Sequence, residues 1–177
     1  MVNFALFDTA FGVCGIAWTE AGVRRVLLPD ESPELLRERF EGSRFDAVEA
    51  DPPDVVQAVI EGVIRLFEGA DERFEGLTLD TAGVPEFNQR VYDVTSSIPP
   101  GSTMTYGQIA TRLGQPKAAQ AVGRALGDNP FPIVVPCHRV LAADGSMHGF
   151  SAPGGVKTKR KMLQIEGALA PDEPTLF

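Results

Sequence analysis

The chain has 177 residues, a formal net charge of −8 and two cysteines. Its apolar fraction of 44% is enough for a core, which excludes a disordered chain, and its length allows one ordinary domain or two small ones. Two cysteines without a CxxC spacing exclude a disulfide framework and a cysteine-rich zinc site. Free thiols, together with the lack of a signal-like start or a long apolar run, predict a soluble cytoplasmic protein without a membrane segment.

The charge is distributed unevenly along the chain. Residues 1–82 carry seven basic and seventeen acidic side chains, whereas residues 83–177 carry nine basic and seven acidic ones. An acidic protein repels nucleic acid at long range. Residues 105–127, however, contain Arg112, Lys117 and Arg124 and no carboxylate. This segment can therefore face phosphates in spite of the net charge.

The first 30 residues predict strands joined by a turn. Apolar residues alternate at Val2, Phe4 and Leu6, and the apolar runs FGVCGIAW and VRRVLLP lie on either side of residues 19–22. Cys14 lies inside one of these runs, where a small core residue is expected.

Two helices are predicted after these strands. Ser32 and Pro33 have the character of an N-cap and a first helical position. Residues 54–68 carry an apolar stripe at helical spacing, and Gly69 ends it. The stripe consists of Val55, Val56, Val59, Ile60, Val63, Ile64 and Phe67. These elements indicate a small α/β domain.

A change in charge balance, with Gly83 and Pro85, predicts a domain boundary. The predicted domains are 1–82, an α/β domain, and 83–177, a mainly helical one. In the second, a helix is expected over residues 87–98. It is followed by a helix-turn-helix pattern over 105–127, with Gly114 at the turn and Pro116 at the start of the second helix.

The second helix of this pattern is built from small residues, namely Ala118, Ala119, Ala121, Gly123 and Ala125. Small side chains allow a helix backbone to approach another surface closely. That surface is either the interior of the domain or a groove of a nucleic acid, and the helix alone does not distinguish the two.

Cys137 follows the apolar run IVV and Pro136, which cannot continue a strand. It is either a structural cysteine at the end of a strand or a nucleophile. A free thiol has a pKa near 8.5, so a nucleophilic cysteine needs a neighbour that favours the thiolate. His138 is adjacent, but consecutive side chains seldom face each other, so a bridging water is expected. The other histidine, His148, lies in a Gly-rich loop, and with no carboxylate cluster we expect no metal site.

Glu166 lies in the last turn of a predicted helix, just before Gly167. The helix dipole disfavours a negative charge at this end. The position is explained if Glu166 pairs with a cation from elsewhere, and a His–Glu pair would orient the imidazole and raise its basicity.

Several segments together resemble one family. PCHRV (136–140) is preceded by DNPFPIVV and followed by KRKMLQIEG, and FNQRVY and TYGQIA lie upstream. Asn129 stands eight residues before the cysteine, and Glu166 stands 29 after it. This combination resembles the active-site segment of the O6-alkylguanine-DNA alkyltransferases, and the resemblance covers roughly residues 85–168.

The resemblance implies an RNase-H-like N-terminal α/β domain and a mainly α C-terminal domain with a winged-helix-like helix-turn-helix. It implies a monomer that uses no cofactor, binds double-stranded DNA in the minor groove, and flips out an O6-alkylguanine. The alkyl group, from O6-alkylguanine and potentially from O4-alkylthymine, would move to Cys137, once per molecule.

The same resemblance implies roles for individual residues. His138 would activate Cys137 through a water and Glu166 would orient His138, while Tyr106 would donate to the departing guanine and Asn129 would brace the active-site turn. The substrate-binding residues would be Val140, Phe150, Ser151 and Lys157. The DNA-binding residues would be Thr105, Lys117, Ala119, Gln120, Gly123 and Arg124.

The chain departs from the family pattern at two of these positions. Gln120 stands 17 residues before the cysteine, where the family usually carries an arginine that fills the gap left by the flipped base. Arg124 lies one turn later on the same helix face and could substitute for it. Phe150 stands where the family often has a tyrosine, which affects the range of accepted alkyl groups.

Three other functions fit parts of the pattern. A non-catalytic binder of alkylated DNA would lack the reactive cysteine, and Cys137, His138 and Glu166 argue against it. A helix-turn-helix regulator would bind undamaged operators selectively, and a cysteine hydrolase would turn over.

Overall fold

The structure, a computed structural model, describes residues 1–42, 44–147 and 150–172. The N-terminal half forms a four-stranded sheet in the order β3-β2-β1-β4. Its strands are β1 (Asn3–Thr9), β2 (Gly12–Thr19), β3 (Gly22–Leu27) and β4 (Val48–Glu49). The first three are antiparallel, and β4 is parallel to β1. The predicted strands and the turn between β2 and β3 are confirmed.

Helices α1 (Pro33–Glu41) and α2 (Asp54–Phe67) pack against this sheet. Ser32 caps α1 as predicted, because its Oγ accepts a hydrogen bond from the Leu35 N–H at 3.3 Å. The stripe of α2 is confirmed except at Val55, whose side chain is 77% exposed. Val55 lies in the first turn of α2, where the helix extends past the edge of the core.

The C-terminal half is mainly helical. Its elements are α3 (Glu86–Ser96), β5 (Met104–Thr105), α4 (Tyr106–Arg112), α5 (Ala119–Gly127), a 3-10 helix (Cys137–Arg139), β6 (Val140–Leu141) and α6 (Val156–Ile165). Strands β5 and β6 form a parallel pair. The helix-turn-helix is present as α4 and α5, and Gly114 has the positive φ of 74° that the turn requires.

Two expectations for this half are wrong. Pro116 does not begin the second helix, since α5 starts at Ala119. Residues 115–118 instead form a turn closed by the Ala118 N–H and the Gln115 carbonyl at 2.9 Å, and proline suits such a turn as well as a helix start. The run IVV is a turn and not a strand: Ile133 has a φ of 75°, and the Val135 N–H bonds the Phe131 carbonyl at 2.8 Å.

One core cluster contains residues from both halves of the chain. Val26 of β3, Val63 of α2 and Phe131 belong to it, and the Val26 N–H donates to the Pro130 carbonyl at 3.0 Å. Cys14 is fully buried in this cluster, as predicted. The sheet therefore supports the segment that leads to Cys137, while the boundary at residues 82 and 83 stays a prediction.

No helix in the described ranges is long and apolar enough to span a membrane.

Candidate active site

Cys137 is the first residue of the 3-10 helix that follows the 131–136 turn. Its N–H donates to the Val135 carbonyl at 2.8 Å, and the residue is 8% exposed. Burial raises the pKa of the Cys137 thiol, although the Asn129 side chain and the positive charge of Lys159 oppose the rise. In the folded protein the thiol is therefore protonated and protected at neutral pH.

His138 and Glu166 form the buried pair that the sequence predicted. His138 Nε2 lies 2.7 Å from Glu166 Oε1, and the two side chains are 0% and 3% exposed. His138 Nδ1 is also buried, and within the part of the chain that the structure describes it has no hydrogen-bond partner. The imidazole is thus held at one nitrogen, while the other is available to a proton donor or acceptor.

Arg139 completes this network and was not singled out from the sequence. Its Nε and Nη2 donate to Glu166 Oε2 and Oε1 at 2.9 and 2.7 Å, and its Nη1 donates to the Ile98 carbonyl at 2.6 Å. The residue is 4% exposed. Its place in the PCHR motif was the available signal, but its partners lie 27 and 41 residues away.

The pKa values of the pair follow from this arrangement. Burial alone would raise the pKa of the Glu166 carboxyl, but hydrogen bonds from His138 and Arg139 outweigh it and lower the pKa to about 2. Burial lowers the pKa of His138, opposed by Glu166. The resting site therefore contains a carboxylate, a neutral imidazole and a thiol.

Asn129 bridges the two ends of the turn before Cys137. Its Nδ2 donates to the Val135 carbonyl at 3.0 Å, and its Oδ1 accepts from the Phe131 N–H at 2.9 Å. These two bonds hold the backbone that carries the thiol, which is the arrangement expected of a brace.

The lysine beside the thiol is Lys159 and not Lys157. Lys159 is 1% exposed, its Nζ donates to the Val140 carbonyl at 2.6 Å, and its charge acts on the Cys137 thiol. Lys157 is exposed and lines a surface cavity with Phe11 and Pro29. Both lysines belong to the first turn of α6, and only the face that Lys159 occupies turns inward.

Two aromatic residues of the expected site, Tyr106 and Phe150, lie around this lysine. Lys159 Nζ is 6.0 Å from the ring centre of Tyr106 and 5.9 Å from that of Phe150. Burial raises the pKa of Tyr106, and the Cys137 charge adds to the rise, so the phenol keeps its proton. Ser151 is exposed, and its Oγ donates to the Gly127 carbonyl at 3.0 Å. His148 lies outside the described residues.

The expected DNA-binding residues lie on α4, α5 and the turn between them. Lys117, Gln120 and Arg124 are exposed, and Ala119 and Gly123 are half-buried. Thr105 caps α4, since its Oγ1 accepts from the Gln108 N–H at 3.1 Å while Gln108 Oε1 accepts from the Thr105 N–H at 2.8 Å. A Cβ at Gly123 would lie 3.9 Å from the Tyr106 ring, an ordinary contact, so internal packing does not require glycine there.

The chain is similar to known DNA methyltransferases. Residues 86–168 match the family model of the 6-O-methylguanine DNA methyltransferase DNA-binding domain. The methylated-DNA–protein-cysteine methyltransferase of Mycobacterium tuberculosis is 36% identical over 177 residues, covering 100% of this chain and 99% of that protein. The chain belongs to the methylated-DNA–protein-cysteine methyltransferase family.

Other members support the same assignment. The methyltransferase of Methanothermobacter thermautotrophicus is 36% identical over 154 residues, which are 86% of this chain and 78% of that protein. The crystal structure of Mycobacterium tuberculosis OGT in complex with DNA superposes with a TM-score of 0.74 at 32% identity, covering 96% of this chain and 95% of that one. The methyltransferase fold therefore extends over both halves of the chain.

Proposed function

We propose that this methyltransferase repairs O6-alkylguanine in DNA by moving the alkyl group to the Sγ of its own Cys137. The observation that carries the proposal is a buried thiol beside a buried His138–Glu166 pair, in a chain that matches the methyltransferases along its whole length. A thioether is not readily returned to a thiol, so each molecule acts once.

Proton transfer begins at the buried, protonated thiol of Cys137. His138 Nδ1 takes the Cys137 proton through a water, and the Glu166 carboxylate stabilises the imidazolium that forms. The thiolate then attacks the alkyl carbon, and the bond from that carbon to guanine O6 breaks. Tyr106, protonated at neutral pH, donates to the departing base. Arg139 keeps Glu166 ionised and oriented, so it is a positioning residue.

The flipped base is held next to Cys137. The Val140 carbonyl and Ser151 bond its edge, Phe150 packs against it, and Lys159 takes the role that the sequence assigned to Lys157. Asn129 braces the turn beneath it. An alkylated base cannot be attacked inside the stack, which makes extrusion a requirement.

DNA binding is assigned to α5 in the minor groove, where the residues contact backbone and shape. Gln120 and Arg124 are exposed on one face of α5, one turn apart, and either can occupy the gap left by the flipped base. Thr105, Lys117, Ala119 and Gly123 lie beside them. The N-terminal sheet with α1 and α2 is consistent with an RNase-H-like domain, and α4 and α5 with a winged-helix-like domain. We propose a cytoplasmic monomer without a cofactor.

The experiment compares the two cysteines. Wild type, Cys137→Ala and Cys14→Ala are incubated in excess with a duplex that contains O6-methylguanine, and the remaining lesion is measured against time. Wild type and Cys14→Ala should remove the lesion, because burial raises the pKa of Cys14 to about 12 and leaves it inert, whereas Cys137→Ala should remove none. Tight binding without lesion removal by wild type would instead indicate a non-catalytic binder.

A further inference from the structure

A cavity of about 290 Å³ borders Cys137. This volume is many times the ~30 Å³ that one water occupies in the liquid, so the cavity exceeds the needs of a bridging water or a methyl group. Near the thiol it is lined by Asn129, Pro132 and Phe150. Phe150 and Ser151, which are proposed to contact the base, also line the cavity, whereas Tyr106 and Val140 are not among its described lining residues. The cavity therefore adjoins the base site and extends from it to residues of β3 and α1.

The wall of this cavity also carries cationic side chains. Arg25 of β3, Arg39 of α1 and Arg44 line it, with Asp128 as the one carboxylate among the described lining residues. Arg39 Nη2 forms an ion pair with Asp30 Oδ2 at 2.5 Å. In the described ranges, neither Arg25 nor Arg44 has a carboxylate oxygen within 4.0 Å.

These arginines affect one another. Arg25 is partly buried, with its guanidinium 4.9 Å from the centre of the Phe45 ring. Burial and the like charges of Arg39 and Arg44 lower the pKa of Arg25. Like charges gathered at a partly desolvated wall are relieved by an anion that enters between them.

The reaction geometry indicates which part of a substrate reaches this wall. The thiolate attacks the first alkyl carbon opposite to O6, so any further atoms of the alkyl group project sideways from the line of sulfur, carbon and oxygen. The cavity borders Cys137 and is also lined by the arginines, so these atoms can enter a space that contains cationic groups. A methyl group has no further atoms and does not reach them.

We infer that this cavity receives the alkyl group of the damaged base, and that Arg25 and Arg44 favour adducts that end in a carboxylate, such as carboxymethyl, over uncharged adducts of equal size. The inference rests on the proposed alkyl transfer and names the substrate class for the same site. In the reaction the Cys137 thiol loses its proton, sulfur bonds to the CH₂ group, and the CH₂–O6 bond breaks. The electron pair stays on guanine, which takes up a proton.

Electrostatics gives the preference its physical reason. A carboxylate next to an attacking thiolate repels it, and that repulsion slows transfer. Cations in the cavity wall offset the repulsion. The same cations do not raise the rate of transfer from an uncharged amide of the same shape.

The test uses three duplexes, carrying O6-carboxymethylguanine, its neutral isostere O6-carbamoylmethylguanine, or O6-methylguanine. Single-turnover rate constants are measured at saturating protein for wild type and for Arg25→Gln/Arg44→Gln. We expect the ratio of the carboxymethyl to the carbamoylmethyl rate constant to fall about tenfold in the double variant, since charges a few ångströms apart are only partly screened. The methyl rate constant should stay within about twofold of the wild-type value.

Two control variants make the outcome decisive. Arg37→Gln removes an arginine of α1 that bonds Glu49 away from the cavity, and it should leave the ratio unchanged. Arg25→Lys keeps the charge and should retain most of the preference.

An unchanged ratio in the double variant overturns the inference. So does an equal loss for all three duplexes together with weaker binding of undamaged DNA, which would make the arginines phosphate contacts. Transfer from the methyl duplex by wild type tests the proposed function separately.

Discussion

Glu166 is the residue on which the buried polar network of this methyltransferase depends. It accepts from Arg139 at both carboxylate oxygens and pairs with His138 through one of them. A charge at this depth is tolerated only because it is paired and hydrogen-bonded. The helix dipole of α6 disfavours it slightly, and the network more than compensates.

The pKa of Glu166 predicts how stability depends on pH. The value is about 2 in the folded protein against 4.5 for an unperturbed glutamate. Because the folded pKa is depressed, Glu166 stabilises the fold by roughly 3 kcal/mol above pH 4.5, and this contribution disappears as the pH falls toward 2. Urea unfolding between pH 6 and pH 3 measures the larger part of this loss.

The matched variant for that measurement is Glu166→Gln. Its free energy of unfolding should be lower at pH 6 and should change less with acidification than that of wild type. Parallel curves for the two proteins, with the same loss between pH 5 and pH 3, would contradict the assignment of the low pKa to Glu166.

Two lysines two positions apart allow a second test at the residue scale. Lys159 is buried, and its charge favours the Cys137 thiolate, whereas Lys157 is exposed. Lys159→Met should slow methyl transfer at least tenfold and raise the pH at which iodoacetamide modifies Cys137, because about 1.4 kcal/mol of thiolate stabilisation equals one pKa unit. Lys157→Met should change neither by more than about twofold, and the reverse order would restore the sequence-based assignment.

Helix α5 is the element that we propose inserts into DNA beside the flipped base. Its two long exposed side chains are Gln120 and Arg124, one turn apart. Gln120→Arg should raise the affinity for O6-methylguanine duplex or the transfer rate severalfold, because a guanidinium fills the gap in the stack better than an amide. Binding titrations and single-turnover rates measure the two effects.

Arg124→Ala is the companion variant for α5. No gain from Gln120→Arg, combined with a large loss in Arg124→Ala, would show that Arg124 already occupies the gap. The result locates the intercalating position on the helix in either case. Neither side chain belongs to the core, so both variants should fold normally.

The elements were predictable where the determining residues are local. The stripe and Gly69 define α2 within one segment, and Ser32 caps α1 through a bond three residues away. The apolar run IVV predicts a strand but forms a turn, because its apolar residues are compatible with both conformations. Its conformation depends on Pro130, Pro132 and the left-handed Ile133, which leave no regular ladder of N–H donors.

The sequence predicted those residues of the site that belong to a recognisable motif. Glu166 as the partner of His138 followed from an out-of-place charge and from the resemblance, and the structure confirms the pair. Arg139 could not be placed from sequence, because its burial depends on the Ile98 carbonyl on one side and Glu166 on the other. The sequence did not indicate which lysine of α6 lies beside Cys137, because the inward face of α6 is set by tertiary packing.

At the scale of the whole molecule, the two halves contribute different parts of one site. The C-terminal half supplies the thiol, its network and α5. The N-terminal sheet and α1 supply Arg25 and Arg39 to the cavity beside Cys137, and the Val26 N–H secures the turn that carries the thiol. The acidic N-terminal half therefore lines the cavity beside Cys137 in addition to supporting the turn that carries the thiol.

The central claim is that this protein is consumed by its own reaction at Cys137. The most direct measurement is the intact mass of the protein after incubation with an excess of duplex containing O6-methylguanine, with peptide mapping of the modified residue. We expect one added methyl group per chain, located on Cys137, with as many lesions repaired as there are chains. Continued repair beyond one lesion per chain, or repair without a change in protein mass, would contradict it.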